Sequence, residues 1–309
     1  MNEDEIGERR MSPTSAEIIA ALRDAGWLLE QDTAATLERS GFHVARAKAF
    51  PDPDDPSVSR EIDVHGYRQI FRSDELGLNV GVRVLAECKQ SSMPYVVVGG
   101  PASAYELGRD RKEQLFRFPT IETGRTEVGG GRARLHYTHA KQYLGLDTLP
   151  GNPWEGGFVG TQMTRLDRKK TWLADNRGIF TSLVYPLAKA LTHFRSQSNR
   201  TSYAIHRQGE WATVEFYYPI VVTSGPLFMV DASKQDMEAV ETPWATMSRE
   251  IKSTKVDGQF NIDIVTAHAL EGYLDQRVNV FASAVAAVAE NDPQRFVSHQ
   301  DYAFESRGR

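Results

Sequence analysis

The sequence predicts an α/β protein in which a mixed β-sheet is sandwiched between helices. Three observations carry this. Two helical patterns over residues 12–40 are followed by three strand-like segments at about 42–49, 59–71 and 79–90. A long helical pattern at about 172–197 leads into a strand-like run from Trp211 to Thr223. A last pattern at 267–289 repeats Leu270, Leu274, Val278, Phe281, Val285 and Val288 at helical spacing. The order helix, three strands, insertion, helix, strand places residues 13–290 in a single domain with an insertion at about 91–170. Residues 1–12 and 291–309 read as flexible tails.

In chain order, Ser12-Pro13-Thr14-Ser15 reads as a helix start, with Ile18, Ile19 and Leu22 as its stripe and Asp24-Ala25-Gly26 as its end. A second helix runs from Trp27 to Ser40 and stops at Gly41. Glu30 stands on its inward edge, four residues before Ala34 and seven before Leu37. The loop Pro51-Asp52-Pro53-Asp54-Asp55-Pro56 blocks helix and strand alike, lacks the spacing and glycine of an EF-hand, and reads as a solvated turn.

From 91 to 170 the periodicity is lost. Arg109, Arg111, Lys112 and Arg117 fall on a short predicted helix around Leu115 and Phe116. Gly129-Gly130-Gly131-Arg132-Ala133-Arg134 lacks the Lys-Ser/Thr of a phosphate-binding P-loop. It reads either as a surface loop or as a basic loop touching a nucleic-acid backbone through Arg132 and Arg134. His136 and His139 have no acidic partner at metal spacing and read as structural. Arg165, Arg168, Lys169 and Lys170 form the densest basic cluster, followed by Trp172. Basic residues flanking an aromatic can clamp a phosphate backbone; a solvated helix start has the same composition. Pro186 predicts a kink in the helix that follows. Ser224-Gly225-Pro226 turns the next strand into another at 227–230, and Ile262, Ile264 and Val265 mark one more. The alanine-rich stretch Ala282 to Ala289 permits close packing, against the core or a second copy.

Composition narrows the classes. A net charge of −5 excludes a nucleic-acid binder that works by bulk charge, leaving only local basic patches. The single Cys88 excludes an internal disulfide and a cysteine-rich zinc site, and it falls on the apolar face of its strand. No apolar run is long enough to span a membrane, and Met1-Asn2-Glu3-Asp4-Glu5 lacks the apolar core of a signal peptide. The expected location is cytoplasmic.

The most informative stretch is Val82-Arg83-Val84-Leu85-Ala86-Glu87-Cys88-Lys89-Gln90, taken with Arg60-Glu61-Ile62-Asp63-Val64. Alternation puts Val82, Val84, Ala86 and Cys88 on one face of the later strand and Glu87 with Lys89 on the other. In the earlier strand Ile62 and Val64 share a face, opposite Glu61 and Asp63. A hairpin centred near Glu75, in the loop Ser73-Asp74-Glu75-Leu76-Gly77, places residue 63 opposite residue 87. Two carboxylates are then pressed together beside a lysine. Like charges placed opposite each other destabilise a sheet, and a bound hard cation such as Mg²⁺ is the natural compensation. The bland alternative is an exposed cross-strand salt-bridge face.

Asp63, followed by Glu87-Cys88-Lys89 at the end of an apolar strand, resembles the PD-(D/E)xK signature of the restriction-endonuclease-like nucleases. The helix carrying Glu30 and the Gly41-Phe42-His43-Val44 strand entry resemble that family's preceding helix. Ile62 stands where the family's proline would be. The resemblance covers about residues 27–90 and implies an αβββαβ core. It also implies Asp63, Glu87 and Glu30 as ligands of Mg²⁺ or Mn²⁺, and Lys89 as the group that positions water and stabilises the phosphate. The implied activity is metal-dependent DNA cleavage of a prokaryotic restriction or defence type, as a homodimer or with a partner subunit. The alternative is a nuclease-like fold without catalysis that binds nucleic acid or protein.

Overall fold

The computed structural model describes residues 12–104, 106, 111–116, 119–128, 132–153, 157–206 and 212–297. Arg109, Arg117, Gly129 to Gly131, Trp211 and the outer parts of both tails lie outside the described residues. Thr14 starts helix α1 (Ser15–Asp24) with a capping box: its hydroxyl accepts the Glu17 N–H and its own N–H donates to the Glu17 carboxylate at 2.7 Å. No residue of α1 is fully buried; of the stripe expected to anchor it, Ile18 and Ile19 are exposed and Leu22 is half-buried.

Gly26, at φ +87°, joins α1 to α2 (Trp27–Arg39). A side chain would be strained in that backbone, and its Cβ would stand 3.2 Å from the Gln90 Cβ. This glycine lets the start of α2 rest on the chain just beyond the third strand. Helix α2 buries Leu29, Thr33, Ala34 and Leu37, the spacing of a core-facing stripe.

Strands β1 (His43–Pro51), β2 (Ser59–Ser73) and β3 (Leu78–Lys89) follow as an antiparallel meander. The β2–β3 register pairs Val64 with Ala86 and Gly66 with Val84. That is the hairpin centred on Glu75; a bulge between Gln69 and Phe71 shifts its outer pairs by one residue. Further strands are β4 (Tyr95–Pro101), β5 (Gln114–Leu115), β6 (Thr120–Glu127), β7 (Ala133–His139), β8 (Phe158–Arg168) and β9 (Trp172–Asp175). After a π-turn, Phe180–Val184, helix α4 (Tyr185–His206) leads to β10 (Ala212–Thr223), β11 (Leu227–Asp231), β12 (Ala239–Glu241), β13 (Trp244–Lys252) and β14 (Asp257–Thr266). One turn, α3 (Ala140–Tyr143), follows β7.

The large sheet is mixed, with order β1-β2-β3-β10-β14-β13-β8-β4-β11-β12, while β6 and β7 form a separate hairpin. Strand β10 runs parallel to β3, with Thr223 opposite Lys89, and β14 runs parallel to β10. Both chains then leave the pairing, over residues 90–94 and 224–226, and pair again in parallel as β4 and β11, Leu227 opposite Tyr95. The path through β14, β13 and β8 arrives back at β4, so the sheet curls round on the continuation of β3.

Helices cover both faces. On one, Val82, Val84, Ala86 and Cys88 pack with Leu37 of α2 and with Phe281 and Val285 of the C-terminal helix. On the other, Leu85 and Val221 pack with Leu187, Leu191 and Phe194 of α4. The C-terminal helical segment comprises α5 (Leu270–Tyr273), π-turns over Leu274–Asn279 and α6 (Val280–Asn291). Its predicted stripe is buried apart from the half-buried Val288, so it serves the core. A further turn, α7 (Gln294–Val297), buries Phe296 in the stretch expected to be a tail. No helix among the described residues is long and apolar enough to cross a membrane.

Four expectations are corrected. The region without periodicity, 91–170, supplies β4 and β8 to the main sheet. Gln114 and Leu115, expected on a helix, form a short strand on β10. The helix expected from residue 172 begins only at 180; Trp172 lies on β9, which forms a hairpin with β8. The acidic loop after β1 is not a solvated turn. Asp52 is 2% exposed and holds the buried Lys189 amine at 2.7 and 2.9 Å, and Arg60 at 2.8 Å. Asp54 takes the Tyr185 hydroxyl at 2.6 Å.

Candidate active site

The site lies where β2 and β3 part company. Their paired residues end at Val64 and Ala86, and one residue further out the Asp63 carboxylate accepts the Cys88 backbone N–H at 2.7 Å. Residues two apart on β3 share a face, and the Lys89 amine donates to Glu87 Oε1 at 2.7 Å. The other Glu87 oxygen, Oε2, is buried with no hydrogen-bond partner. An unmet buried carboxylate oxygen costs free energy on the order of 1–3 kcal/mol or more. Glu30 reaches in from the first turn of α2, the end that Gly26 seats against Gln90.

The electrostatics tie these groups together. Burial pushes the Glu87 carboxyl up to about 7; the Asp63 charge adds to this, and Lys89 opposes it. Burial also raises Asp63, against the Cys88 N–H and Lys89. Glu30 is raised by burial and then by Asp63 and Glu61. Burial works against the Lys89 ammonium, but Glu87 and Asp63 outweigh it and hold its pKa above the ordinary value. Three carboxyl groups thus share one amine, with the exposed Glu61 acting on Glu30 from outside. Cys88, between the two functional residues of β3, points the other way, toward Thr33 at 3.5 Å. Burial pushes its thiol up to about 12, so it is inert at neutral pH.

Asp63, Glu87, Lys89 and Glu30, the residues singled out from the sequence, lie within electrostatic reach of one another, and Asp63 arrives through a local twist that the alternation does not predict. Ile62 packs on the α4 side of the sheet and Val64 on the α2 side, so simple alternation fails across Asp63. Among the described residues no three His, Cys, Asp or Glu side chains stand in ready coordination geometry. One oxygen of Asp63 is engaged by Cys88 and one of Glu87 by Lys89. The donor set nonetheless fits a hard divalent cation: all-oxygen, net negative, with one buried oxygen unmet.

The basic residues singled out from the sequence are dispersed. Arg168, Lys169 and Lys170 are exposed at the tip of the β8–β9 hairpin, where the Arg168 guanidinium lies 5.5 Å from the Trp172 ring. Arg165 is held by Asp167 at 3.0 Å. Arg132 and Arg134 are exposed on the separate β6–β7 hairpin. His136 is held there by Thr126 at 2.8 Å, a structural role. Sequence reasoning missed Tyr95 at the start of β4. It lies within electrostatic range of both Lys89 and Arg165, and so stands between the carboxylate cluster and the β8–β9 hairpin. The apolar run Tyr95 to Val98, bounded by Pro94 and Gly99-Gly100, was a strand signal that could have revealed it. Comparison of the chain with models of protein families, with characterised proteins and with solved structures finds no match.

Proposed function

We propose that this chain is a metal-dependent nuclease of the PD-(D/E)xK kind that hydrolyses phosphodiester bonds of DNA. One observation carries the reading: Glu30, Asp63, Glu87 and Lys89, spread over sixty residues of sequence, share one electrostatic pocket with a buried, unmet carboxylate oxygen. The chain order α2-β1-β2-β3-α4-β10, with β10 parallel to β3, supports it as the αβββαβ arrangement. The choice of DNA rests on the resemblance alone.

Asp63 and Glu87, with Glu30, would hold Mg²⁺ or Mn²⁺, which when bound supplies positive charge to a phosphate and acidifies water. The chain's own contribution is positional. Cys88 N–H fixes the Asp63 carboxylate on its strand. The Lys89 ammonium, kept charged by its acidic neighbours, is the cation among the described residues of the pocket that would face a phosphate oxygen and orient the attacking water. The exposed Arg168, Lys169 and Lys170 tip offers contacts to a nucleic-acid backbone.

The test is cleavage of supercoiled and linear DNA with Mg²⁺ or Mn²⁺. Wild type should cut, and Asp63→Ala and Lys89→Ala should each lose at least a hundredfold. Undiminished cutting by both variants would sink the proposal. No cutting together with no heat on metal titration would favour the non-catalytic binding module.

A further inference from the structure

A second polar cavity lies away from the carboxylate cluster. It is bounded by β13, β14 and the π-turns at 274–279, holds about 260 Å³, and is lined by Arg111, Arg277, Thr246, Asn261 and Trp244. A smaller recess lined by the same two arginines runs under it to Tyr218 and Gln114. None of Glu30, Asp63, Glu87 or Lys89 lines either one.

The charges here are unbalanced toward positive. Asp263 is the only carboxylate bonded to an arginine of this cavity among the described residues, and it is already saturated. It accepts from Thr246, from the Tyr273 hydroxyl at 2.6 Å and from Arg277 at 3.2 Å. Arg111 has no ion-pair partner among the described residues; its recorded hydrogen bond goes to the Pro153 carbonyl at 2.8 Å. The acids that act on it are Glu113 first, then Asp263 and Glu106; Glu113 is buried, and burial pushes that carboxyl up to about 7, so it brings only part of a charge at neutral pH. Arg111 is pushed below its ordinary value, first by burial, and the Arg277 charge adds to this. Two guanidiniums therefore share one cavity with most of their donors unspent.

Two buried polar atoms beneath them also lack partners. The Tyr218 hydroxyl, on a residue 4% exposed, has no hydrogen-bond partner, and neither has the Gln114 side-chain oxygen. The first can donate to an anion and the second needs a donor. Trp244, with Phe158 and Met229, adds an apolar wall. A ligand satisfying all of these carries negative charge, a hydroxyl or amine, and a flat apolar body. We propose that this cavity binds a mononucleotide, its phosphate monoester received by Arg111 and Arg277. The volume, about 260 Å³, falls just below the roughly 300–1,000 Å³ of drug-sized ligand sites, which limits the occupant to about one nucleotide. Paired arginines match a phosphate in geometry as well as charge.

The test is calorimetric titration of the full chain, without divalent ions, with adenosine 5′-monophosphate, inorganic phosphate and adenosine. Leaving metal out makes the outcome independent of the proposed nuclease site. The mononucleotide should bind, with phosphate and adenosine each at least tenfold weaker. Arg111→Gln breaks no direct ion pair, and should weaken binding roughly 10- to 100-fold, the loss expected for a hydrogen bond to a charged group. Tyr218→Phe keeps the ring and should weaken it several-fold; it carries the test if Arg111→Gln does not fold. The proposal is overturned by no heat from the mononucleotide at millimolar concentration, by equal affinity for phosphate alone, or by unchanged affinity in folded Arg111→Gln or Tyr218→Phe.

Discussion

Replacing Glu87 by glutamine should stabilise the metal-free protein at alkaline pH. Glutamine keeps the shape and an oxygen for Lys89, but cannot carry charge. In the folded chain the Glu87 carboxyl titrates near 7 against an ordinary 4.5, because burial and Asp63 disfavour its anion more than Lys89 favours it. Folded protein thus binds more protons than unfolded protein between those values. Stability falls as pH rises from 4.5 to 7 and stays lowered above that. At about 1.4 kcal/mol for each tenfold change in proton affinity, the anion costs roughly 3 kcal/mol above pH 7. That figure is already net of the Lys89 bond. Urea denaturation with a chelator present, at pH 4.5 and pH 8, measures it. The variant should match wild type at pH 4.5 and exceed it by up to about 3 kcal/mol at pH 8. Excess Mg²⁺ at pH 8 should then restore wild type, by about 2.7 kcal/mol at a hundred times its dissociation constant, and leave the variant nearly unchanged. A variant no more stable than wild type at pH 8, or with the same pH slope, refutes the view that Glu87 is held in a site built for a cation.

The other predictions concern what holds the site in place. Lys189→Met strands Asp52 with Arg60 as its remaining cationic partner and should cost on the order of 3 kcal/mol in urea denaturation; a loss under 1 kcal/mol would show the buried pair to be dispensable. Gly26→Ala forces a side chain into a left-handed backbone and against Gln90, and should cost at least about 1 kcal/mol while lowering cleavage more than Leu22→Ala on exposed α1 does. Equal activity in the two variants would detach the α2 start from the site.

Local signals were legible and non-local ones were not. The Glu75-centred hairpin register follows from turn position and alternation alone, and one residue beyond its last pair, Val64 with Ala86, it leaves Asp63 beside the Glu87-Cys88 segment. Gly26 and Gly41 marked the ends of α2 because a left-handed residue is a local requirement. The β8–β9 hairpin resembles a helix start in sequence because its turn, Arg168 to Thr171, contains no glycine or asparagine. Strands β8 and β13 carry polar residues on much of their length, so neither shows a clean apolar alternation. The acidic loop after β1 looks solvated because the lysine that neutralises Asp52 lies 137 residues away. The failure of alternation at Asp63 has a similar origin: the twist that sends Ile62 and Val64 to different cores depends on α4 and α2 packing on opposite faces.

Two of the chain's acidic clusters, around Asp52 and around Asp63, are treated differently. Around Asp52 and Asp54, two acids meet Lys189 and Arg60, and every charge has an opposite within bonding distance. Around Asp63, three acids meet one amine, and a buried oxygen is left unmet. Both clusters come from the same kinds of residue in the same fold, so the difference is not a general tolerance for buried acid. A structural cluster gains by being neutral. One left negative, at the bend where β3 and β10 release their pairing and the backbone opens, is destabilising unless something external supplies the charge. The stability cost at Glu87 and the proposed binding of a cation would then be the same property. That is why a single denaturation series with and without metal can decide whether the cluster is a site.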